Sequence, residues 1–597
     1  VSAVLDRVDV VAPAPVHPRV VARPRPRNER LAVGLGLLLV GVMHSVNLAG
    51  WPQYWDDEGT YYSQAWSVQH LGSLSPYTYW YDHPPVGWLQ LALVSWLPDA
   101  VLDGSTSAVL AGRVVMVVCT LATALLTYLL AKRLGLTRGW ALLAMLFWAV
   151  DPLVLYEGRQ VLLDNVALPW LLGAFVLALS RERHLGSHMA AGLCFGMAVL
   201  SKETTLMFAP ALLVALWQSA YRPTRAFSVM GMSLLVAAMG SMYLLFALVR
   251  SELFPGPGHV SLWDAVSFQF LEREGSGWIL DPDSPEGGAY DTFHSWLQHD
   301  GGVLLLGGVG AALPALFVRR LRPVALAVLI AAAVALRPSG YLPHMYPVAV
   351  LPFCALACVG LLDVVGRWVM RRRDVALRAG LGTVVAALLI GGVMQLGDWR
   401  YNYEAAWTED TNDVHATTVE YVAGALPRDA VVVADNSYWN DLVDAGWSVE
   451  DAVWFYKADA DAAVADRLGG DYRGIDYLVW SIDVAENALP VVAEAHEHSE
   501  LLWAQGEGRS RVEVRRVLTP AEEARIEAEE DARVAAELEA ELRRVDAFMA
   551  EDSLEWPDLT NGQVTAIRQE RDTLSVPALA AKYETSEETV GAVLAGG

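Results

Sequence analysis

Cysteine is nearly missing from this 597-residue chain. The four present, Cys119, Cys194, Cys354 and Cys358, all lie in apolar runs, where a free thiol behaves as a small hydrophobe. None falls after residue 400, so no disulfide framework organises that region, and the redox compartment is not legible from thiols. Cys354 and Cys358 stand one helical turn apart, but no further ligand follows at helical spacing, which leaves them without a metal role. Positive charge is scarce as well. Lys and Arg number 43 against 68 Asp and Glu, for a net charge of −25. The deficit is local: after residue 400 there are 42 acidic and 15 basic side chains, enough to account for the whole excess. An acidic surface repels phosphates, which argues against a nucleic-acid partner. Charged residues make up only 19% of the chain while 54% is hydrophobic, and that balance excludes an ordinary soluble core.

Long apolar runs recur through the first two thirds of the sequence, the mark of a polytopic α-helical membrane protein. Residues 1–30 are rich in Pro and Arg (Arg19, Arg23, Arg25, Arg27, Arg30), which predicts a disordered cytoplasmic leader. Leu31 to about Gly50 is long enough to span, and no small-residue cleavage site follows, so it reads as a retained signal-anchor. The Arg cluster keeps its own end inside, and the next loop starts outside. From Leu31 to Gly112 there is no Lys or Arg, as an external loop requires. Its many Trp and Tyr suit a membrane interface, with Val86 to Leu97 dipping in. Alternating charge places later spans near 109–130, 139–150, 166–180, 189–200, 204–219, 227–249, 301–318, 323–336, 345–366 and 379–397. That makes roughly eleven spans, although several runs are shorter than the roughly 20 residues a perpendicular helix needs. The N-terminus is expected inside and the region after residue 400 outside, in a cell membrane.

Residues 399–518 read as a small extracytoplasmic α/β domain. Ala430–Asp435 and Ile475–Trp480 look like buried strands, and Arg511–Val517 alternates charged residues with Val as an exposed-edge strand would. No Gly-rich nucleotide fingerprint follows either buried strand, so a binding or shielding role is expected. Residues 519–597 form an acidic helical tail. Glu522 to about Ala550 predicts a solvated helix, and Gln563–Leu594 predicts three short helices capped by Ser575 and by Thr585 or Ser586. The stretch Ala578–Val590 is similar to a helix-turn-helix, but sparse basic residues favour a small helical appendage over a DNA reader.

The unusual polar residues gather at the outer ends of different spans: Asp57, Glu58, Asp82, His83, Arg159, Asp164, Lys202, Arg337 and His344. Carboxylates at a membrane surface are costly to desolvate and need a reason. Here carboxylates and cations converge at a lipid–water boundary, which suits chemistry on an amphipathic phosphorylated lipid.

Trp55-Asp56-Asp57-Glu58-Gly59-Thr60-Tyr61, Asp82-His83-Pro84-Pro85-Val86, Arg159 with Asp164, and Leu200-Ser201-Lys202-Glu203-Thr204 together resemble the polyprenyl-phosphate-sugar glycosyltransferases of the GT-C fold. These include protein O-mannosyltransferases and the aminoarabinose transferases that modify lipid A. Tyr341-Leu-Pro-His-Met-Tyr-Pro-Val fits their late outer-loop pattern, and the resemblance covers about residues 30–400. It implies a GT-C-like membrane domain over residues 31–398. It makes Asp57 the main catalytic carboxylate, Glu58 its neighbour and Asp164 the acidic residue of the second outer loop. Tyr61, His83, Arg159, Lys202, Arg337 and His344 are then expected around the donor and its lipid phosphate. Asp82 sits where the aminoarabinose enzymes have a metal-binding Glu, so a divalent metal could bind there; no other cofactor is implied. Thr60 departs from the Arg those enzymes carry three residues after the Asp, which speaks against aminoarabinose specificity and not against the fold.

The chemistry fits these residue types. An acceptor hydroxyl loses a proton as it attacks the anomeric carbon, which one positioned carboxylate can accept. The leaving group is a phosphate and needs positive charge, which Lys202, Arg159 and His83 could supply. The expected partners are a polyprenyl-phosphate-linked sugar, membrane lipid, and an extracytoplasmic acceptor that is protein, lipid or cell-envelope glycan. A lipid or polyprenyl-phosphate flippase would instead place charges in mid-span and show internal repeats. A membrane-tethered regulator would need its tail inside to reach DNA.

Overall fold

The computed structural model describes residues 27–102, 107–180, 184–285, 287–338, 340–371, 380, 396–556 and 558–595. The leader expected over residues 1–30 and the span expected at 379–397 lie largely outside them. The chain divides into two compact units, one ending at Val517 and one starting at Leu518.

The first unit opens with the helix Arg27–Ser45. Val33, Gly36, Val40 and His44 form its buried stripe, while Leu31, Leu35, Leu38 and Val42 are exposed. A helix apolar on both its packed and its open face is built for lipid. Among the described residues, three helices are long and apolar enough to cross a membrane: Ala108–Arg133, Arg222–Val249 and Leu351–Arg371. A fourth crossing is available if Arg138–Ala149 and Pro152–Arg159, bent by 63°, count as one broken span. The break is written locally: Pro152 cannot donate to the preceding turn, and Asp151 caps the new helix by accepting from Leu153 N at 2.9 Å. Shorter apolar helices run over Val86–Pro98, Leu163–Ala178, Leu185–Ser201, Leu305–Ala315 and Arg322–Ala335. Most runs read as spans are therefore helical, but the figure of eleven crossings is not reached by helix length among the described residues.

Arg320 and Arg367 both clasp Asp363, at 2.7 and 2.8 Å, and both donate to Gly135 O. Arg138 pairs with Glu29 at 2.7 Å. Basic residues that charge alternation puts on one side of the membrane are thus gathered together in the fold.

The α/β part carries a five-stranded sheet of order β2-β1-β3-β5-β4. Here β1 is Val432–Ala434, β2 Ala452–Trp454, β3 Tyr477–Trp480, β4 Ser499–Gln505 and β5 Val512–Val517. Helical connections let β1 run parallel to β2 and β3, while the short Gly508–Ser510 turn forces β4 and β5 antiparallel. Side chains from alternate positions fill a core on each face, Val432, Trp454 and Val514 on one, Val433, Val453 and Leu478 on the other. The strand read as an exposed edge, β5, lies between β3 and β4. Its charges are spent across the pair: Arg516 meets Glu500 at 2.6 Å, and Arg515 donates to Ser499 at 2.8 Å. The edge is β4.

The second unit is helical. Pro520–Glu555 starts at a capping box of Thr519 and Glu522. Asn561–Glu570, Val576–Lys582 and Glu587–Ala595 close around Val564, Ile567, Leu579, Val590 and Val593. Ser586 caps the last of them, accepting from Thr589 N at 3.0 Å.

Candidate active site

The helix Asp56–His70 carries three carboxylates in its first turn, where the exposed N–H groups and the dipole favour negative charge. Successive residues on a helix point about 100° apart, and here each direction has its own partner. Glu58 is 0% exposed and faces Arg113, whose Nε and Nη2 donate to it at 2.9 and 2.6 Å. Val161 N adds a third bond at 2.9 Å. Arg113 also donates to Leu48 O and Pro52 O. Glu58 is therefore closed off in an ion pair that ties the loop to the bundle, and it is not open to a substrate. Gly59 faces the α/β domain: a Cβ there would stand 2.2 Å from the Asn436 carbonyl carbon and 2.4 Å from Ser437 N.

Asp57 faces the third way and is half-buried. Among the described residues no hydrogen bond closes off its carboxylate. Burial raises its pKa above the ordinary value, against the opposing pull of Lys202 and His83; Asp82 adds to the rise and Arg273 opposes it. Asp56 accepts from Asp57 N at 2.7 Å. Burial pushes it higher still, helped by Asp57 and by Asp435 and Asp483 of the α/β domain.

A chain of polar contacts runs beside Asp57. Lys202 caps the helix Leu185–Ser201. Its ammonium lies 3.6 Å from Asp164 and 3.2 Å from His83 Nε2. His83 Nδ1 meets Glu203 at 3.0 Å. The ring thus presents Nδ1 to the Glu203 carboxylate and Nε2 to the Lys202 ammonium. Burial alone would lower Lys202, but Asp164, Glu203, Asp57 and Asp82 hold its pKa above the usual lysine value. Burial would likewise raise Glu203, but His83 and Lys202 pull it down to about 2. Tyr61 is buried with its ring centroid 6.0 Å from that of His83.

The structure thus brings together Asp57, Tyr61, Asp82, His83, Asp164 and Lys202. Besides Glu58, it puts three further expected residues elsewhere. Arg159 is 0% exposed and donates to Trp51 O, Ala406 O and Met43 O, so it clamps backbone and does not meet a phosphate. Arg337 is exposed and donates to Tyr341 O at 3.0 Å. His344 lies 3.4 Å from Glu157 and against Trp55, centroids 5.0 Å apart; burial takes it down to about 4, which keeps it neutral. For Asp82 as a metal ligand there is no supporting set: among the described residues no group of three His, Cys, Asp or Glu could hold a metal ion.

Other residues join the site unannounced. Arg273 stacks over the Tyr341 ring at 3.4 Å, and its charge reaches Asp57. It comes from a long loop with many charges, and nothing in its neighbours singles it out. Asn436 of the α/β domain donates to Thr60 Oγ1 at 2.7 Å and to Tyr456 Oη at 3.3 Å. Asn440 donates to Ser63 at 2.9 Å. Asp441 accepts from Ser107 Oγ at 2.9 Å and Ala108 N at 2.7 Å. The α/β domain is therefore seated on the carboxylate helix itself.

Residues 82–251 match the family model described as dolichyl-phosphate-mannose-protein mannosyltransferase. The matched segment holds Asp82, His83, Asp164 and Lys202. Among solved structures, ArnT from Cupriavidus metallidurans in the apo state is similar at a TM-score of 0.50 and 15% identity, over 81% of this chain and 97% of that one. The archaeal oligosaccharyltransferase AglB from Archaeoglobus fulgidus, solved with an inhibitory peptide and a dolichol-phosphate, is similar at a TM-score of 0.49 and 12% identity, over 77% of this chain and 70% of that one. No curated protein matches by sequence. The ArnT likeness spans nearly the whole of that protein, so the course of the backbone is shared where the sequences are not. This chain is a multi-pass membrane protein with the GT-C fold, the fold of glycosyltransferases that draw on lipid-linked sugars.

Proposed function

We propose that the protein transfers one sugar from a polyprenyl phosphate to a hydroxyl-bearing acceptor on the outer face of the membrane, with inversion at the anomeric carbon. The observation that carries this reading is the pairing of a half-buried, open carboxylate, Asp57, with the buried Lys202–His83 pair across one small site. Asp57 takes the acceptor proton as the new C–O bond forms at the anomeric carbon. The bond from that carbon to the phosphate oxygen breaks, and its electron pair leaves with the lipid phosphate. A phosphate leaving group needs charge and no proton. Lys202 has three N–H donors; His83 Nε2 engages one at 3.2 Å, while Asp164, at 3.6 Å, contributes as an ion pair, so donors remain for a phosphate oxygen. Arg273 adds a second cation from the opposite loop. Asp164 acts here by orienting Lys202, and Glu58 by holding the helix through Arg113. A raised Asp57 pKa also makes it a better proton acceptor once ionised.

The test is turnover by purified protein in lipid, offered a panel of radiolabelled polyprenyl-phosphate sugars and crude envelope acceptor, beside Asp57→Asn. Label moved by the wild type and not by the variant is the expected result and names the sugar. Equal transfer by both removes Asp57 from the mechanism.

A further inference from the structure

One buried cation near the site has no part in this chemistry. The chain contains only four lysines, Lys132, Lys202, Lys457 and Lys582. Lys457, from the α/β domain, is 3% exposed. Its ammonium sits 3.1 Å from the centroid of the Trp80 ring, with Tyr456 and Tyr77 at 5.6 and 5.9 Å. Its counter-ion is Asp461, one helical turn on, at 3.8 Å. Asp461 is engaged in turn: it accepts from Thr78 N at 3.0 Å and Thr78 Oγ1 at 3.1 Å. Tyr77 donates to Ala452 O at 2.8 Å and accepts from Trp454 N at 3.1 Å, both on β2. Residues Tyr77–Trp80 of the first loop are thus gripped by the α/β domain, and the same backbone delivers Asp82 and His83 to the site. Between them the chain turns at Tyr81, a non-glycine residue with φ of 58°. Such a turn persists only when its surroundings over-determine it. On its other side it is held by Glu252, which accepts from Tyr81 Oη at 2.5 Å.

We propose that Lys457 is a positioning residue for transfer: its ammonium, seated on Trp80 and tied to Asp461, fixes the Tyr77–His83 segment and so sets where His83 stands relative to Lys202 and Asp57. This rests on the function proposed above. A methionine would fill the same space without desolvating a charge, so the ammonium is the costly choice. Burial takes its pKa down to about 7 against the pull of Asp461 and Asp82. Tyr456 and Tyr77, the other ionisable groups against it, are pushed up by burial and stay neutral. A lysine lowered in the folded state binds fewer protons than the unfolded chain from about pH 7 to its ordinary value of about 10.4, so this group makes stability rise with pH across that window. Below it the charge is retained at a loss in stability.

The experiment uses the full chain in lipid: wild type, Lys457→Met, Lys457→Arg and Asp461→Asn, read for kcat, KM for the donor, Tm, and hydrogen exchange of the Tyr77–His83 amides. Lys457→Met is expected to lower kcat by about tenfold to a hundredfold, as a small misplacement does, with KM nearly unchanged and the loss persisting well below the variant's Tm, which itself falls because Asp461 is left buried without its cation. Exchange over Tyr77–His83 should quicken. Lys457→Arg, always charged, should recover much of the rate and carry activity to higher pH. Asp461→Asn should resemble Lys457→Met. Wild-type kcat in Lys457→Met, or a rate lost only in step with a lowered Tm and not recovered by Arg, overturns the proposal. If the wild type transfers nothing, the function proposed above fails by itself; exchange over Tyr77–His83 that is the same in wild type and Lys457→Met then overturns the positioning role independently.

Discussion

At the scale of single residues, Asp57 and Glu58 show how adjacent carboxylates part company. Asp57→Asn keeps shape but removes the proton acceptor, so turnover should fall by about 10²–10⁴-fold while the protein stays folded. Its folded pKa is raised by burial. Activity should therefore rise with pH through a value above the ordinary carboxylate range, measurable as the acid limb of kcat/KM against pH. The same shift means the folded state loses stability as pH climbs through that value, because it must give up a proton it holds more tightly than the unfolded chain does. Asp57→Asn should thus melt no lower than wild type at neutral pH. Glu58→Gln does the opposite. It leaves Arg113 charged and buried, at a cost of about 3–5 kcal/mol, to be read as a fall in Tm. Sequence distinguishes these neighbours poorly, because the Arg that claims Glu58 lies 55 residues away. Lys202, His83 and Asp82 were legible from residue type and order alone. Arg159 was misleading for the same reason: a cation beside an outer loop looks free until the carbonyls that absorb it are seen.

At the scale of elements, the contact between helices Asp56–His70 and Asn436–Asp444 is backbone against backbone. Gly59→Ala puts a methyl group where Asn436 carbonyl atoms already stand, and neither side is a flexible tip that can swing away. It should destabilise by about 1–3 kcal/mol, as overpacking does, and reduce transfer; a thermal scan beside a turnover assay checks both. Nothing in the sequence around Gly59 announces this, since its partner lies in another domain. The membrane helices were visible as apolar runs, but their lengths were not, because the bend at Val150–Asp151 depends on a cap and a proline acting together. In the sheet, β1 and β3 were read from their apolar runs, whereas β2, with an apolar run of similar length in Ala452–Tyr456, was missed. The alternation in β5 reported one buried face, and a face carries no information on how many strands lie alongside.

At the scale of the whole molecule, composition alone showed an apolar first part and an acidic remainder. What composition could not show is that the α/β part is built into the site. A chain ending at Val517 should still insert, fold and transfer, whereas one ending near residue 399 should lose transfer altogether; membrane fractionation with the turnover assay separates the two. The seating of Asn440 on Ser63 joins residues 377 positions apart. A ribosome adding about 5–20 residues each second needs roughly 20–75 s to cover that distance. Throughout most of that interval Thr60, Ser63, Thr78 and Ala108 of the growing chain lack their eventual partners. Biosynthesis thus contains a waiting period, during which the newborn loop is exposed to proteases and to membrane quality control, and slowing elongation should lengthen that exposure in a pulse-chase experiment.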